Sequence, residues 1–475
     1  MYGLLWIFSC TIGLSLFEWV NDSHMNLDTL KYLLCWVGIG TYVFCIFSWK
    51  IITGRIVTLY PIFITFLFLF NFGQCLTWAF GIHTIKDIDV LSLYYRLGVA
   101  TTQEIIKTQI IIILAILSIH CGAAGVKYSL IEKNKTRQKY VEKNTSMYQE
   151  IYVFSKFLFP IVIISDLYYR VSEAINAMHY GYTALYYNSS IPHINVVFMV
   201  LSRLTFPVLL GLLIGSKYNP KVVKVVYATF LVKILLHLIS GDRGGWIYGF
   251  CVLFVFHVIF YKKINWIKLF PLGISGYFAV RILVTIKRIR NSGFTLDKFV
   301  STFFSLKSGV ISEAIAELGG TMGITASLIK QGWNIYPYGN TFFYGLITMP
   351  TSDIAKILNL NYQPISDWFS QTYLRISNGA GFSIIAEMLI NFGPVFMMFF
   401  LYIFGMFVAW FTNIENCTIE NNALRLMLCG MTTAVMINIS RNAFNYNIGE
   451  VFYTTFQWLI YYYVFCSFRR RRLCY

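Results

Sequence analysis

The chain has few charged residues for its length. Charged side chains make up 12% of its 475 residues, whereas a typical soluble domain carries about 25%. Most of the charges are cations, 38 against 21 carboxylates. No basic stripe with interleaved aromatic residues marks a nucleic-acid-binding surface. These observations exclude a soluble globular protein and exclude nucleic acid as a partner.

Metal-binding and disulfide patterns are also missing. Most of the ten cysteines lie inside hydrophobic runs, where a thiol behaves as a small apolar group. No cluster of Asp, Glu or His with metal-ligand spacing lies in a predicted outer segment. We therefore predict no disulfide, no metal and no cofactor. Residues 1–20 lack a basic start and a small-residue cleavage site, which predicts a retained first span.

Long hydrophobic runs dominate what is present. Hydrophobic residues form 57% of the chain, and a helix of about 20 apolar residues crosses a bilayer core. Twelve runs predict an all-α polytopic membrane protein with a single transmembrane domain over residues 1–475. The predicted spans are 2–20, 30–49, 56–80, 105–125, 151–169, 194–215, 222–240, 246–260, 268–286, 382–411, 424–440 and 450–467.

Basic residues in the short loops predict the orientation. The loop between spans four and five is cytoplasmic by the positive-inside rule. Its cations are Lys127, Lys133, Lys135, Arg137, Lys139 and Lys143. Alternation then places both termini in the cytoplasm and residues 240–245 outside. It leaves 287–381, between spans nine and ten, as one large outer loop.

Aromatic residues are concentrated between Trp333 and Pro364, within that loop, beside Asn, Gln, Gly and Pro. Aromatic faces and amide groups suit sugar rings and hydroxyls. An aromatic belt at the membrane interface has the same composition. Both interpretations stay open at this point.

Several arginines lie on the predicted outer side, where topology gives no reason for them. Arg243 lies beside Asp242 in a polar turn between two hydrophobic runs. Arg281 lies within span nine, and its outer end carries Lys287, Arg288 and Arg290. An arginine inside a span costs about 2.5–3.5 kcal/mol and usually faces a cavity or a partner. We predict a polyanion site formed by these cations.

A simpler interpretation exists for Arg281. Its guanidinium can reach the outer headgroups, or it can pair with Asp166 or Glu387.

Span ten carries polar residues spaced by four, which places them on one stripe of a helix. They are Ser383, Glu387 and Asn391. A carboxylate inside an apolar helix makes Glu387 a candidate general base. The alternative is a structural ion pair between Glu387 and an arginine. Arg441 adds another cation at the outer end of span eleven.

Five short motifs, in this order, resemble the Wzy-type oligosaccharide repeat-unit polymerases of O-antigen and capsule assembly. They are F-N-x-G-Q at 70–74, S-G-D-R-G-G at 240–245, E-L-G-G-T at 317–321, G-F-S-I-I-A-E-x-x-x-N-F-G at 381–393 and S-R-N at 440–442. The basic end of span nine agrees with this resemblance, which covers most of the chain.

The resemblance implies a glycosyltransferase at the outer face of the bacterial cytoplasmic (inner) membrane. It would transfer a glycan from undecaprenyl pyrophosphate onto the non-reducing end of an incoming lipid-linked repeat unit. A chain-length regulator and a flippase are the implied protein partners. With no outer metal site in the sequence, we expect metal-independent transfer.

The chemistry assigns expected roles to the candidate residues. Guanidinium groups suit the departing pyrophosphate, and the candidates are Arg243, Arg281, Arg288, Arg290 and Arg441. Glu387 is the first candidate for the base that accepts the acceptor hydroxyl proton, with Asp242 and Glu317 after it. Asp242 has a second possible role, to orient Arg243. Ser383, Asn391 and Glu317 are expected to contact the glycan.

Three other functions fit parts of the sequence. A GT-C-like glycosyltransferase would use an acidic pair such as Asp87 and Asp89 and would depend on a metal. A flippase of lipid-linked oligosaccharides would show related halves or charged residues along several helices. An O-antigen ligase shares the chemistry and differs in its acceptor.

Overall fold

The computed structural model describes residues 1–22, 27–82, 97–137, 147–182, 196–242, 244–262, 269–290, 294–306, 309–376 and 379–473. Within these ranges every regular element is a helix, which confirms the all-α prediction. The predicted site residue Arg243 and the acidic pair Asp87 and Asp89 lie outside the described residues.

The α-helices of five or more residues are numbered here in chain order. They are α1 (Tyr2–Asp22), α2 (Asp28–Thr53), α3 (Leu59–Ala79), α4 (Thr102–Arg137), α5 (Met147–Tyr180), α6 (Val196–Ser202), α7 (Thr205–Gly215), α8 (Pro220–Ser240), α9 (Gly245–Phe260), α10 (Leu269–Ile289), α11 (Leu296–Ser305), α12 (Val310–Leu318), α13 (Met322–Gln331), α14 (Thr341–Ile347), α15 (Asp353–Ile357), α16 (Ile384–Thr412), α17 (Ile419–Asn438), α18 (Phe444–Val451) and α19 (Gln457–Leu473).

The described part of the chain contains 8 candidate membrane spans, so the protein is a polytopic membrane protein. These spans are α1, α2, α3, α4, α5, the α6–α7 pair, α8 and α16. The four other predicted spans are also helical, over α9, α10, α17 and the α18–α19 region. Helix α9 is apolar but shorter than a full span. The total of about twelve spans stays a prediction.

The described chain forms two compact units. The first contains residues 1–140, 312–415 and 435–449, and the second contains residues 141–311, 416–434 and 450–475. The segment 287–381, predicted as one outer loop, is therefore divided between the units. In the first unit, its helix α13 is buried from Met322 to Leu328 and packs against α3, α4 and α16.

Helix α4 is the centre of the first unit, where it contacts α1, α2 and α16. Two glycines allow α4 and α16 to approach closely. A Cβ on Gly122 would lie 2.0 Å from the Tyr402 carbonyl oxygen, and one on Gly405 would lie 2.0 Å from the Ile119 carbonyl oxygen. Small residues at such crossings let helix backbones touch inside a membrane. This packing fixes α16, which carries the central polar residues of the first unit.

Lys127 differs from its prediction as a cation of the cytoplasmic loop. It is fully buried in α4, and its Nζ donates to the Asn413 side chain and to Glu415 Oε2 at 2.5 Å. The predicted loop position was wrong for this residue, because charge counting cannot tell a solvated lysine from a buried, paired one. The cytoplasmic side of this segment stays a prediction.

We expect Lys127→Ala to destabilise the protein by about 3–5 kcal/mol, because it leaves the Glu415 carboxylate buried without its cation. Thermal unfolding in detergent measures the effect. Lys50→Ala is the control, since Lys50 is an exposed cation near the end of α2. Equal unfolding temperatures for the two variants would contradict the buried ion pair.

Helix α5 organises the second unit by packing against α6, α7 and α8. Gly215 of α7 lies against the backbone of Tyr152. A Cβ on Gly215 would lie 2.6 Å from that backbone. Helix α8 begins with Pro220 after Asn219, whose side chain accepts the Lys221 N–H at 3.0 Å. It ends at Gly241, where φ is +85°. A proline start and a glycine end are typical helix boundaries.

Candidate functional site

Four of the five motifs meet in the first unit. Residues 317–321 pack on residues 70–74, where a Cβ on Gly319 would lie 2.3 Å from the Gln74 nitrogen. Asn71 Nδ2 donates to the Ser440 carbonyl oxygen at 3.1 Å. The exposed Arg441 guanidinium lies 5.6 Å from the centre of the Phe70 ring. Segments far apart in sequence thus form one cluster.

The fourth motif starts helix α16 beside the Arg441 turn. The Phe382 N–H donates to the Arg441 carbonyl oxygen at 3.0 Å. Ser383 is the N-cap, and its hydroxyl accepts the Ala386 N–H at 3.2 Å, which is the preferred role of serine at a helix start. The serine hydroxyl is thus engaged in the fold, and its contact with glycan stays a prediction.

Glu387 is fully buried in α16 and joins three segments of the first unit. Its Oε1 accepts the Thr341 hydroxyl at 2.5 Å. Its Oε2 accepts the Phe444 N–H at 2.6 Å. The carboxylate therefore ties α16 to the starts of α14 and α18. Burial of a carboxylate is tolerated where hydrogen bonds satisfy both of its oxygens.

Asn391, one turn after Glu387, completes this polar group. Its Oδ1 accepts the Thr341 N–H at 2.9 Å, and its Nδ2 donates to Thr341 Oγ1 at 2.9 Å and to the Glu387 carbonyl oxygen at 2.7 Å. Gly393, with φ at +66°, then interrupts the helix before Pro394. We call Thr341, Glu387 and Asn391, together with the Phe444 N–H, the Glu387 network.

The Glu387 network bears on two expectations for this residue and changes one of them. A structural ion pair between Glu387 and an arginine was predicted as one alternative, and this prediction was wrong, because the partners are a hydroxyl and a backbone N–H. The role of general base stays a prediction.

Half-buried tyrosines lie beside the Glu387 network. Tyr344 and Tyr362 stack with ring centres 4.8 Å apart, and Tyr336 meets Trp368 edge-on at 5.2 Å. Burial raises the pKa of Tyr336 and of Tyr362 above the ordinary value, and the charge of Glu387 adds to both shifts. The aromatic residues are therefore near the buried carboxylate. We call this group, with Tyr338 and Tyr373, the aromatic face.

In the second unit, Asp242 holds the polar turn after α8. Its Oδ2 lies 2.8 Å from His237 Nδ1, and its Oδ1 accepts the Gly244 N–H at 3.0 Å. Burial opposes ionisation of Asp242, but these bonds outweigh it and hold the pKa of this carboxyl well below its usual range. Asp242 thus bonds to residues before and after position 243. Its orienting role and its role as base both stay predictions.

The span-nine arginines have different surroundings within the second unit. Arg281 donates to the Phe303 carbonyl oxygen at 2.7 Å and to the Leu306 carbonyl oxygen at 3.2 Å, at the end of α11. Its predicted pairing with Asp166 or Glu387 was therefore wrong, because backbone carbonyls hold the guanidinium.

Arg290 lies beside Gly241 of the polar turn, and the polyanion site stays a prediction. A Cβ on Gly241 would lie 2.9 Å from the Arg290 Cβ. The Arg290 guanidinium lies 4.8 Å from the centre of the Tyr182 ring. Arg288 is exposed near the end of the same helix, α10. Glu317 is partly exposed at the end of α12, in the first unit.

A sequence model of the family described as O-antigen polysaccharide polymerase Wzy matches residues 3–471. The chain belongs to this family. The match confirms the predicted family over nearly the whole chain. Wzy proteins are membrane enzymes of polysaccharide biosynthesis that polymerise repeat units, which implies lipid-linked repeat units as substrates. No curated protein and no solved structure gives a significant match.

One charged cluster of this Wzy protein was missed by the sequence analysis. In the second unit, Lys233 Nζ lies 2.9 Å from both carboxylate oxygens of Asp166. Arg170 Nε lies 3.6 Å from Asp166 Oδ1. The available signal was two charges inside runs predicted to be spans, Asp166 and Lys233, with Arg170 one position past the end of the first run. Asp166 and Arg170 are at i and i+4, on one helix face.

We expect Gly319→Ala to disrupt the motif cluster of this Wzy protein, because its Cβ would overlap the Gln74 backbone. Gly320→Ala is a matched control, since nothing lies within 4 Å of its Cβ position. Thermal unfolding and polymer made in cells should both fall for Gly319→Ala and stay unchanged for Gly320→Ala. Equal behaviour of the two variants would rule out this close approach.

Proposed function

We propose that the chain transfers a glycan from undecaprenyl pyrophosphate onto the non-reducing end of an incoming lipid-linked repeat unit. The reaction takes place at the outer face of the inner membrane, and both termini are cytoplasmic. The observation that carries this proposal is the assembly of the motifs beside the aromatic face in the first unit. This agrees with the family match to repeat-unit polymerases.

The aromatic face is the proposed binding surface for the glycan. Its tyrosines are half-buried, so each can offer part of a ring to a sugar. The Tyr362 hydroxyl is itself buried. Tyrosine combines an apolar ring with a polar end, which suits a ligand with apolar faces and hydroxyl edges. Tyr336 is fixed by the bond from its hydroxyl to the Gln363 carbonyl oxygen at 2.6 Å. A preordered surface lowers the entropy cost of binding.

Glu387 is proposed as a positioning residue for this surface. Its carboxylate fixes the start of α14 through Thr341 and the start of α18 through Phe444. Helix α14 carries Tyr344, and the turn before α18 carries the exposed Arg441. Loss of the carboxylate would therefore disturb the glycan surface without any direct contact to substrate.

The transfer forms a bond between the acceptor oxygen and the anomeric carbon and breaks the bond from that carbon to the pyrophosphate oxygen. The acceptor hydroxyl loses its proton, and the leaving group keeps the electron pair. Guanidinium groups stabilise the charge that develops on the diphosphate. We propose Arg243, Arg288 and Arg290, in the second unit, for this role. Diphosphate binding by Arg441, in the first unit, stays a prediction. Arg281 contributes indirectly, because its guanidinium holds the end of α11 in place.

The proposal is tested with purified protein in nanodiscs and a synthetic repeat unit linked to undecaprenyl pyrophosphate. We expect a ladder of products at repeat-unit intervals. The transfer is proposed to be metal-independent, so the ladder should persist in excess EDTA. Substrate that stays intact, or a ladder that needs a divalent metal, would contradict the proposal, and the second result would favour the GT-C-like alternative.

One observation favours a flippase as the second candidate. The Asp166–Lys233 pair lies inside two candidate spans, where charged groups often mark a transport path. Liposomes that contain the protein and a fluorescent lipid-linked oligosaccharide separate the functions. A polymerase should leave the lipid distribution between leaflets unchanged, whereas a flippase should equalise it.

A further inference from the structure

We propose that helix α11 lies in the outer leaflet of the membrane, with its exposed apolar stripe in lipid and with Arg281 as its anchor to α10. The stripe consists of Leu296, Val300 and Phe304. Helix α11 belongs to the segment 287–381, which the sequence predicts as one large outer loop. Arg281 and the whole of α11 belong to the second unit.

Helix α11 has one apolar side and one polar side. The three residues of the stripe are spaced by four, so they share one side of the helix. Phe299 and Phe303 widen that side. The opposite side carries polar residues, which are exposed: Lys298, Ser301 and Ser305. A short helix with this division is typical of a segment that lies at a membrane interface.

The described part of the chain does not cover the apolar stripe. Leu296 is 70% exposed, Val300 is 44% exposed and Phe304 is 76% exposed. No residue of α11 is buried. A row of large apolar side chains is rarely left in water on a protein surface. Because α11 follows a predicted membrane span, lipid is the apolar neighbour that its position supplies.

Arg281 shows where α11 lies along α10. It is eight residues before the end of α10, which is about 12 Å at 1.5 Å per residue. Its guanidinium donates to the Phe303 carbonyl oxygen at 2.7 Å and to the Leu306 carbonyl oxygen at 3.2 Å. Helix α11 therefore returns along α10 and ends beside it, instead of extending away from its outer end. The packing of α10 against α11 agrees with this arrangement.

The end of a helix within lipid needs donors for its carbonyl groups. The last carbonyls of an α-helix have no partner inside the helix, and the hydrocarbon of a bilayer supplies none. The Arg281 guanidinium provides these donors, and its positive charge suits a helix C-terminus. This role explains an arginine inside predicted span nine, where the positive-inside rule gives no reason for one.

Aromatic rings connect the exposed side of α10 to the stripe. Arg281 Nη1 donates to the Tyr277 hydroxyl at 3.3 Å, and the neighbouring Phe278 is exposed. The guanidinium lies 4.9 Å from the centre of the Phe303 ring, and Phe303 meets Phe304 edge-on at 5.4 Å. Rings of both helices thus surround one guanidinium. Such a group is typical of the boundary between headgroups and acyl chains, which favours lipid over a second copy of the chain as the neighbour.

The test uses the full chain in nanodiscs, with the photoreactive amino acid benzoylphenylalanine placed at one position at a time. Replacement of Val300 or Phe304 probes the stripe. Replacement of Ser301 or Ser305 is the matched control on the polar side, and replacement of Phe278 is the positive control on α10. After irradiation, mass spectrometry of the peptides detects covalent lipid adducts. We expect about tenfold more adduct at positions 300 and 304 than at 301 and 305.

Arg281→Gln tests the anchor. A glutamine side chain is shorter and has one amide group in place of the guanidinium, so the end of α11 is held less well. With the photoreactive group at Phe304, we expect the lipid adduct to fall about threefold or more in this variant, whereas the adduct at Phe278 should not change. Size-exclusion profiles and unfolding temperatures establish that each variant is folded.

Three results would overturn the inference. Equal lipid adduct on the two sides of α11 would show that the stripe is not in lipid. A crosslinked dimer from positions 300 and 304 would show that a second copy covers the stripe, and a crosslink within one chain would show that another segment does. An unchanged adduct at Phe304 in Arg281→Gln would remove Arg281 as the anchor. None of these readouts depends on polymerase activity.

Discussion

Glu387→Ala will abolish polymer and destabilise the protein, whereas Glu387→Gln will keep the fold and a measurable part of the polymer. Alanine removes the acceptor for two hydrogen bonds inside a fully buried site. A hydrogen bond to a charged group contributes about 1.5–3 kcal/mol, so the expected loss of stability is about 3–6 kcal/mol. The variants are measured by unfolding temperature and by polymer per folded protein.

The Glu387→Gln variant distinguishes the positioning role of Glu387 from the role of general base. Its amide oxygen can still accept the Phe444 N–H, and its amide nitrogen can donate to Thr341 Oγ1, so the joined segments stay close. A general base would instead lose about 10²–10⁴ in rate, because an amide cannot take the proton. If the Glu387→Gln variant folds normally but makes no polymer, Glu387 is the general base and the positioning role is wrong. Asp353→Asn is the control, since Asp353 is exposed and its carboxylate contacts Lys356 and Thr351, outside the Glu387 network.

Arg243→Ala will lower polymer output by about 100-fold or more at unchanged protein level. A guanidinium that stabilises a leaving diphosphate contributes mainly in the transition state, and removal of one such donor costs about 10²–10³ in rate. Single-turnover kinetics with purified protein measures this. Arg55→Ala, at an exposed arginine in a predicted cytoplasmic loop, should have no effect.

The partner variant is Asp242→Asn. Asparagine can accept the Gly244 N–H through its oxygen, but its amide nitrogen then faces His237, so the turn that carries Arg243 is held less well. We expect a smaller loss than in Arg243→Ala. If Asp242→Asn is fully inactive while Arg243→Ala is active, Asp242 is the base and the orienting role is wrong.

The sequence predicts the helices well because hydropathy reports which segments are apolar and long. It also places Ser383, Glu387 and Asn391 on one stripe of α16, since a spacing of four fixes that relation. It could not predict their partners. Thr341 and Phe444 are 46 and 57 positions away from Glu387, and only the packing of α14 and α18 brings them together.

Prediction from sequence has the same limit for charged residues in a membrane protein. Charge counting interprets Lys127 as a topology signal, but its environment is set by Glu415, which is 288 positions away. Arg281 was expected to need an anion, yet carbonyl groups at the end of α11 hold it. Arg203 Nη1 lies 3.0 Å from Glu450 Oε1, and no local pattern connects these two positions. Apolar patterns predict which segments lie in the membrane. They do not predict which charged side chains pair with each other.

The central claim is that a growing glycan leaves one undecaprenyl pyrophosphate and joins the next repeat unit. The most direct test adds an isotope-labelled repeat unit to purified protein that holds preformed, unlabelled polymer on lipid, followed by mass spectrometry of the products. We predict the label in the unit next to the lipid, and one free undecaprenyl pyrophosphate released for each new linkage. Label at the far end of the chain, or linkage without release of the diphosphate, would contradict it.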